Sequence, residues 1–435
     1  MKVSLLFPPT WHPSQPYLSL PSLTGFLTQA GVKNVSQRDL GIELLDKVLT
    51  QSFAHGLYQQ LVDKQQGLER ERTGERGPGS AEQLARVIES LDRFPYLFER
   101  IELAKETLRG EGFYDIEAYR NSLFLIDKWL EVLSSLYFPT RMTVVDNQFG
   151  DYSIYSSKDL IKAIRDEGQN PYISLFREHV LPSLLTDRPD LVGVSITATS
   201  QIIPGLTLCR LIKEHAPELH VTVGGSIFTR LVDNLRRCPW LFDLVDDFVV
   251  FEGETALLEL VNQMDGKRDF SKVPNLIYRQ NGKITVNQPF YSENINQLTA
   301  PNYDGFPLDL YLSPEPVLPV QFSRGCYYKD CAFCAQSSHH QTGVPTYDLK
   351  SEDFMVDDAT ARRAAGEESN LHILAPFAGA VFTGGWGTRY AGLAGWLHGG
   401  AGPQKQRRNQ QYSQRGKTHI PRTRLHTILL LLKTF

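Results

Sequence analysis

Apolar positions recur at two spacings along this chain. Lys2–Phe7 is a short apolar run stopped by Pro8 and Pro9, and Leu20, Leu23 and Leu27 then mark a helical face that ends at Gly31. This predicts a strand followed by a helix. The alternation resumes far downstream, with strands over 191–197, 220–223 and 248–251 and a helix over Ile202–His215. Leu257, Leu260, Val261 and Met264 then follow at helical spacing. Strands alternating with helices predict an α/β fold with a doubly wound parallel sheet over 1–45 and 186–270, whose ligands bind outside the carboxyl ends of the strands.

Between 46 and 185 the pattern is helical throughout. Ser80-x-x-Gln83 has the form of a capping box opening the face Leu84, Val87, Ile88 and Leu91, and Leu123, Ile126, Leu130, Leu133 and Tyr137 keep a second face. This predicts a helical insertion, with the charged, glycine-bearing stretch 69–80 as a solvated loop. Over 271–314 a hairpin is expected at Asn281-Gly282, between alternating strands. A proline-rich linker then occupies 301–319, and a strand over 317–322 opens a second domain spanning 315–368.

The chain has 435 residues, 41% of them apolar and 11% aromatic, enough to bury large cores. There is no basic flank with an apolar run and cleavage site near the start, and no apolar segment of membrane-spanning length, so a soluble cytoplasmic protein without membrane partners is expected. Three of the five cysteines stand in one run, which fits a reducing compartment.

That run, Ser-Arg-Gly-Cys-Tyr-Tyr-Lys-Asp-Cys-Ala-Phe-Cys at 323–334, carries the sharpest chemistry. Cys326, Cys331 and Cys334 can grip one soft metal centre from a single loop. A Cys3His zinc site would recruit His339 or His340 as fourth ligand. With no fourth thiolate following, an iron-sulfur cluster with one open iron is the better reading. Cys209 and Cys238 sit among apolar residues and read as small hydrophobes.

The run resembles the cluster loop of radical S-adenosylmethionine (SAM) enzymes, whose usual spacing is three residues and then two; here the first gap is four. It is similar to the cobalamin-binding branch that matures ribosomally made peptides, in which Arg-Gly-Cys-Tyr-Trp-x-x-Cys-x-Phe-Cys is familiar. The resemblance implies that Cys326, Cys331 and Cys334 hold a 4Fe-4S cluster, that SAM chelates the fourth iron, and that Phe333 lies near the adenine.

The expected strand ends are consistent in their chemistry. Ser195 and Thr197 supply hydroxyls, Gly224 and Gly225 side-chain-free backbone, and Glu252, Gly253 and Glu254 close the last strand. Small residues let a bulky ligand approach the backbone, and hydroxyls and amides bind its polar groups. As a set they resemble the cobalamin-binding domain that precedes the radical SAM domain in that family. Asp-x-His-x-x-Gly, which supplies a cobalt ligand in mutases and methionine synthase, is absent. His12 lies between prolines in the first loop without the accompanying Asp and Gly, so the resemblance implies cobalamin bound without a histidine ligand, with Trp11 and Leu18 shaping a face of the cobalt.

The last third departs from this frame. Some six strand-helix units need roughly 200 residues, and 101 follow Cys334. Residues 369–435 contain no Asp or Glu against nine Lys plus Arg, and glycine is dense over 379–402. Either this is a basic low-complexity tail or the reading frame is lost after about Val356, and loss of periodicity with one charge class favours the second. Thr383-Gly-Gly-Trp386 lacks the glutamate of the Gly-Gly-Glu motif and is left unassigned. The (β/α) radical SAM barrel is thus expected to be partial.

By resemblance, the chain is a cobalamin-dependent radical SAM enzyme that modifies, most simply by methylation, an unactivated carbon of a precursor peptide. Its cofactors are a 4Fe-4S cluster, SAM and cobalamin, and its electron donor a flavodoxin or ferredoxin. The rivals are a cobalamin-binding fragment with an inactive barrel, and a nucleic-acid-binding or nucleic-acid-modifying protein using the basic tail; the interleaved charges of 69–80 argue against nucleic acid as a partner.

Overall fold

The structure is a computed structural model that describes residues 1–70 and 78–319, Gln321, and the short stretches 323–325, 347–349, 372–374 and 381–383. Its centre is a seven-stranded sheet. Strand β1 (Lys2–Phe7) leads through helix α1 (Ser19–Gln29) to β2 (Asn34–Asp39), which pairs parallel to it from Lys2↔Asn34 to Phe7↔Asp39. Helix α2 (Leu40–Val48) follows at once, capped by Asp39, whose carboxylate accepts the N–H groups of Gly41 and Ile42 at 2.9 and 3.2 Å.

The chain then spends about 140 residues on helices. These are α3 (Gln51–Arg70), α4 (Pro78–Phe98), α5 (Ile101–Arg109), α6 (Ile116–Ser134), α7 (Ser157–Ala163), α8 (Pro171–His179) and α9 (Leu181–Asp187). Two short strands, β3 (Arg141–Met142) and β4 (Asn147–Gln148), pair antiparallel among them. Leu57, Leu61, Val87, Ile126, Trp129 and Leu133 are all buried in one core. The Trp129 indole N–H donates to the Val48 carbonyl at 2.7 Å, fixing α6 to the end of α2. Of the expected α4 face, Leu84 and Val87 are buried but Ile88 is 39% exposed. Gln83 donates across to the carbonyls of Ser135 and Leu136. The expected loop 69–80 is helical at both ends, through Arg70 and from Pro78, and 71–77 lies outside the described residues.

The sheet resumes with β5 (Leu191–Ser195), α10 (Ile202–His215), β6 (His220–Gly224), the short helices α11 (Ser226–Arg230) and α12 (Val232–Leu235), β7 (Asp247–Val249) and α13 (Glu254–Asp265). β5 pairs parallel with β1 on the side opposite β2, and β6 and β7 extend the parallel array. The hairpin β8 (Leu276–Gln280) and β9 (Lys283–Val286) adds antiparallel, giving the order β2-β1-β5-β6-β7-β8-β9. Asn281 (φ 50°) and Gly282 (φ 75°) make the turn in the left-handed region that their side chains tolerate. The hairpin, expected outside the sheet, is its edge.

β1 shows why the sheet needs cover on both faces. Val3, Leu5 and Phe7 point into a core with Leu20 and Leu27 of α1 and Leu257 and Leu260 of α13, while Leu6 joins the core of α10 and the helical insertion. Successive side chains alternate faces, so one buried strand feeds two cores. The insertion shares its core with the sheet. Asn170, which caps α8, donates to Thr207 of α10 at 2.8 Å.

The proline-rich passage 301–319 is a packed strap. Phe306, Tyr311, Leu312 and Leu318 are buried, the Gln37 amide donates to the carbonyls of Asn302 and Asp304 at 2.9 and 3.0 Å, and Tyr303 donates to the Pro319 carbonyl at 2.8 Å. The strand expected over 317–322 is not seen among its described residues; β10 (Ser323–Gly325) begins just beyond and pairs antiparallel with β11 (Tyr347–Leu349). A further pair, β12 (His372–Leu374) and β13 (Val381–Thr383), is also antiparallel. The barrel expected after 315 otherwise lies outside the described residues.

Candidate functional site: a crevice at the carboxyl edge of the sheet

β1 connects to β2 on one side and pairs with β5 on the other, so the strand order reverses between β1 and β5. At such a reversal the loops leave the sheet in opposite directions and open a crevice above the carboxyl ends. The loops after β1, β5, β6 and β7 surround it.

One side chain ties two of these loops together. Gln201 is fully buried, and its Oε1 accepts the N–H groups of Thr197 and Ala198 at 2.9 and 3.0 Å and the Thr197 hydroxyl at 3.1 Å. Its Nε2 donates to the Pro8 carbonyl at 2.7 Å. Both polar ends of the amide are thus used to shape backbone. No local pattern marks Gln201 as functional, and the sequence reading missed it.

The expected contact residues converge on this edge. The buried Ser195 hydroxyl donates to the Ser19 hydroxyl at the start of α1, at 2.9 Å. Thr197 is half-exposed, and its carbonyl accepts the Ser226 hydroxyl at 3.0 Å. Gly224 and Gly225 are also half-exposed, and Gly225 has φ 108°. A Cβ there would lie 2.1 Å from the Ile196 carbonyl oxygen, whereas one on Gly224 would meet nothing closer than the Val249 carbonyl at 3.5 Å. Gly225 is therefore required by the close packing of its backbone on that of Ile196, whereas Gly224 is half-exposed with room beside it at the end of β6.

The first loop is folded into the core. Trp11 meets Tyr17 edge to face at 4.8 Å, and Tyr17 stacks on Phe7 at 5.2 Å. His12 takes the Ser14 hydroxyl on Nδ1 at 2.8 Å, and burial pushes its pKa down. Below this loop lies a recess of about 530 Å³ bordered by Trp11, His12, Asp39, Met142, Tyr172 and Tyr311. Burial raises the Asp39 carboxyl to about 6 against the opposing pull of the Tyr311 hydroxyl and the Ile42 and Gly41 N–H groups.

Glu252, Gly253 and Glu254 close β7, with Gly253 and Glu252 half-exposed and Glu254 buried. The two carboxylates face Arg324, which approaches Glu252 at 3.2 Å and Glu254 at 3.3 Å and through a second, shorter contact. Burial favours the neutral form of Glu254, but the Arg324 guanidinium outweighs it and holds the carboxyl below its ordinary range; the two glutamates likewise raise Arg324. Glu252 also accepts the Ser292 hydroxyl at 3.0 Å and the Glu293 N–H. A recess of about 320 Å³ beside Arg324 is bordered by Leu18, Ser22 and Phe26 of the α1 region.

Cys326, Cys331, Cys334 and Phe333 lie outside the described residues. Among the described residues no group of His, Cys, Asp and Glu has metal-binding geometry, and no helix is long and apolar enough to cross a membrane. Cys209 is buried in α10, where loss of solvent pushes its thiol up to about 12, as suits a packing residue.

No known family profile matches the chain. By sequence it is similar to enzymes of several kinds. An uncharacterized methyltransferase of Pyrococcus horikoshii is 32% identical over 152 residues, 34% of this chain and 32% of that protein. The anaerobic magnesium-protoporphyrin IX monomethyl ester cyclase of Synechocystis is 28% identical over 146 residues, 32% of this chain and 27% of that protein. A biotin synthase of Trichlorobacter lovleyi is 58% identical over 47 residues, 11% of this chain and 14% of that protein. The matches thus span about a third or less of the relatives' length.

Among solved structures, the cobalamin-dependent SAM radical enzyme OxsB, with aqua-cobalamin and SAM bound, aligns with a TM-score of 0.36 and 19% identity over 46% of this chain and 27% of that one. The radical SAM methyltransferase TsrM of Kitasatospora setae, with cobalamin and a [4Fe-4S] cluster bound, aligns with a TM-score of 0.33 and 18% identity over 50% of this chain and 45% of that one.

Proposed function

We propose that this chain belongs to a cobalamin-dependent radical SAM methyltransferase. The observation that carries the reading is the meeting of two features at one edge. The half-exposed strand ends at Thr197, Gly224 and Gly225 lie on the same carboxyl edge to which Arg324 is bound, two residues before the cysteine run at 326–334. The likeness to a methyltransferase over 152 residues supports the same reading.

In this reading the crevice takes cobalamin, with Ser195 and Thr197 ordering the β5 loop, Gly224 and Gly225 giving close approach, and Gly253 a third stretch of bare backbone. Cys326, Cys331 and Cys334 hold the 4Fe-4S cluster, and Phe333 packs against SAM. When bound, the cluster supplies the electron that cleaves SAM to methionine and a deoxyadenosyl radical, and cobalamin supplies the methyl group. The chain's own part is to order the loops, bring the two sites to one edge and exclude water. His12, held by Ser14, keeps its ring nitrogen Nδ1 occupied inside the protein.

The substrate proposed is a ribosomally made precursor peptide, the electron donor a flavodoxin or ferredoxin, and the compartment the cytoplasm. The domains are proposed as the sheet domain over 1–45 and 186–270, completed at its edge by the hairpin of the 271–314 segment and followed by that segment's strap, the helical insertion over 46–185, and the start of the radical SAM domain over 315–368.

Anaerobic reconstitution with iron, sulfide and hydroxocobalamin, followed by a dithionite-driven assay for 5′-deoxyadenosine, tests the reading. Bound cobalamin, about four irons per chain and deoxyadenosine formation support it. Cobalamin bound without deoxyadenosine would leave a binding module with an inactive barrel, and binding of neither cofactor would overturn the proposal.

A further inference from the structure

We propose that Arg324 is a positioning residue that moors the base of the cysteine-bearing segment to the carboxyl edge of the sheet through Glu252 and Glu254. The mooring itself stands on geometry; its consequence for the cofactors rests on the function proposed above.

All three nitrogens of the guanidinium group are used. Nη1 faces Glu252 at 3.2 Å and Glu254 at 3.3 Å, Nη2 binds Glu254, and Nε donates to Gln321 Oε1 at 3.0 Å. The side chains are largely out of solvent, at 18% exposure for Arg324, 18% for Glu252 and 7% for Glu254. A planar fork with five donors meets this geometry, and a lysine ammonium reaches only part of it. The carboxylates are themselves fixed. Glu254 opens α13, where the helix N-terminus favours negative charge, and Glu252 is held by Ser292 and the Glu293 N–H.

The place of Arg324 in the chain gives this anchor its meaning. It is the middle residue of β10, paired with Asp348 in β11. Residues 326–346, which include all three cysteines of the run, connect these two strands in sequence. An anchor on the strand pair therefore fixes where that segment leaves the sheet edge and where it returns. Glu252 and Glu254, expected to touch cobalamin, are both engaged by Arg324, and the glycine between them lies beside Leu23 and Val249.

The test uses the full chain and two variants. Arg324→Gln leaves two carboxylates without their counter-charge and weakens the fold as well as the anchor. The triple variant Arg324→Gln with Glu252→Gln and Glu254→Gln removes all three charges together, which spares the fold the unpaired carboxylates while still deleting the mooring. Hydrogen–deuterium exchange at the amides of 323–325 and 347–349 should accelerate about tenfold or more in both variants, with the triple variant unfolding at the wild-type temperature. Unchanged exchange in the triple variant would overturn the mooring.

The second readout is the electron paramagnetic resonance spectrum of protein carrying reduced cluster and cob(II)alamin. At wild-type iron and cobalamin content, the spin–spin broadening between the two centres should change in the triple variant. An unchanged spectrum would overturn the positioning role. If the wild-type chain takes up neither cofactor, the proposed function fails, and the exchange experiment still decides the mooring.

Discussion

The amide of Gln201 donates to the carbonyl of Pro8 at 2.7 Å, joining loops that are 193 residues apart in the chain. This bond crosses the reversal point of the sheet, so the geometry of the crevice depends on a side chain that need not touch a ligand. Gln201→Leu would leave the Thr197 and Ala198 N–H groups and the Pro8 carbonyl without their partner. The Pro8 carbonyl is buried and the two N–H groups are part-buried, so the variant should lose roughly 1–3 kcal/mol in urea unfolding. Gln201→Glu keeps the acceptor and loses the donor, and should bind hydroxocobalamin more weakly than wild type in a spectral titration.

The two neighbouring glycines should behave differently. Gly225 has φ 108° and a Cβ position 2.1 Å from the Ile196 carbonyl oxygen, so Gly225→Ala combines backbone strain with a clash and should cost about 2 kcal/mol or more. Gly224→Ala meets only an ordinary contact at 3.5 Å and should leave stability within about 0.5 kcal/mol. A loss of cobalamin affinity in Gly224→Ala, at unchanged melting temperature, would mark the crevice floor as a contact surface. Unchanged affinity would remove Gly224 from the site.

Asp39 links acid chemistry to stability. Burial raises its carboxyl from 3.8 to about 6, and Tyr311 donates to it at 2.6 Å. An acid whose folded pKa lies above its unfolded one binds its proton more tightly in the fold. Its stabilising contribution is complete below about pH 4 and lost as pH rises through 6, a difference of roughly 3 kcal/mol. Asp39→Asn should abolish this component, so the wild type should lose stability relative to the variant between pH 4 and 7 in urea titrations. Tyr311→Phe removes a donor that favours the ionised form and should make the loss larger and extend it to higher pH.

Cys209 should be inert in the native protein. Its thiol is buried and pushed up to about 12, which leaves almost no thiolate at pH 8. Iodoacetamide at that pH should label it only in denaturant, as read by peptide mass mapping. Native labelling at a rate similar to a free thiol would contradict the buried placement.

Much of the sheet was legible because its strands announce themselves locally. The apolar run of β1 ended by prolines, the helix over Ile202–His215 and the Asn281-Gly282 turn all stand where their patterns place them. β2 was not seen. Asn34–Asp39 is an edge strand carrying Ser36, Gln37 and Arg38, and its largely polar character hides the alternation that a central strand displays. The passage 301–319 read as a linker because prolines break regular structure, and nothing local reveals that Tyr311 reaches Asp39 or that Asn302 and Asp304 receive Gln37.

Residue type and short-range pattern are enough for the α/β class, the periodicities that bury Val3, Leu5 and Phe7, the glycines at the end of β6 and the spacing of the three cysteines. Both act within a turn or a strand. Tertiary structure decided that Gln201 would bind the first loop, that the hairpin would complete the sheet, and that Arg324 would meet Glu252 and Glu254. Those are pairings between groups distant in the chain. Burial and the need to satisfy polar groups select them once the sheet has brought the strand ends to one edge.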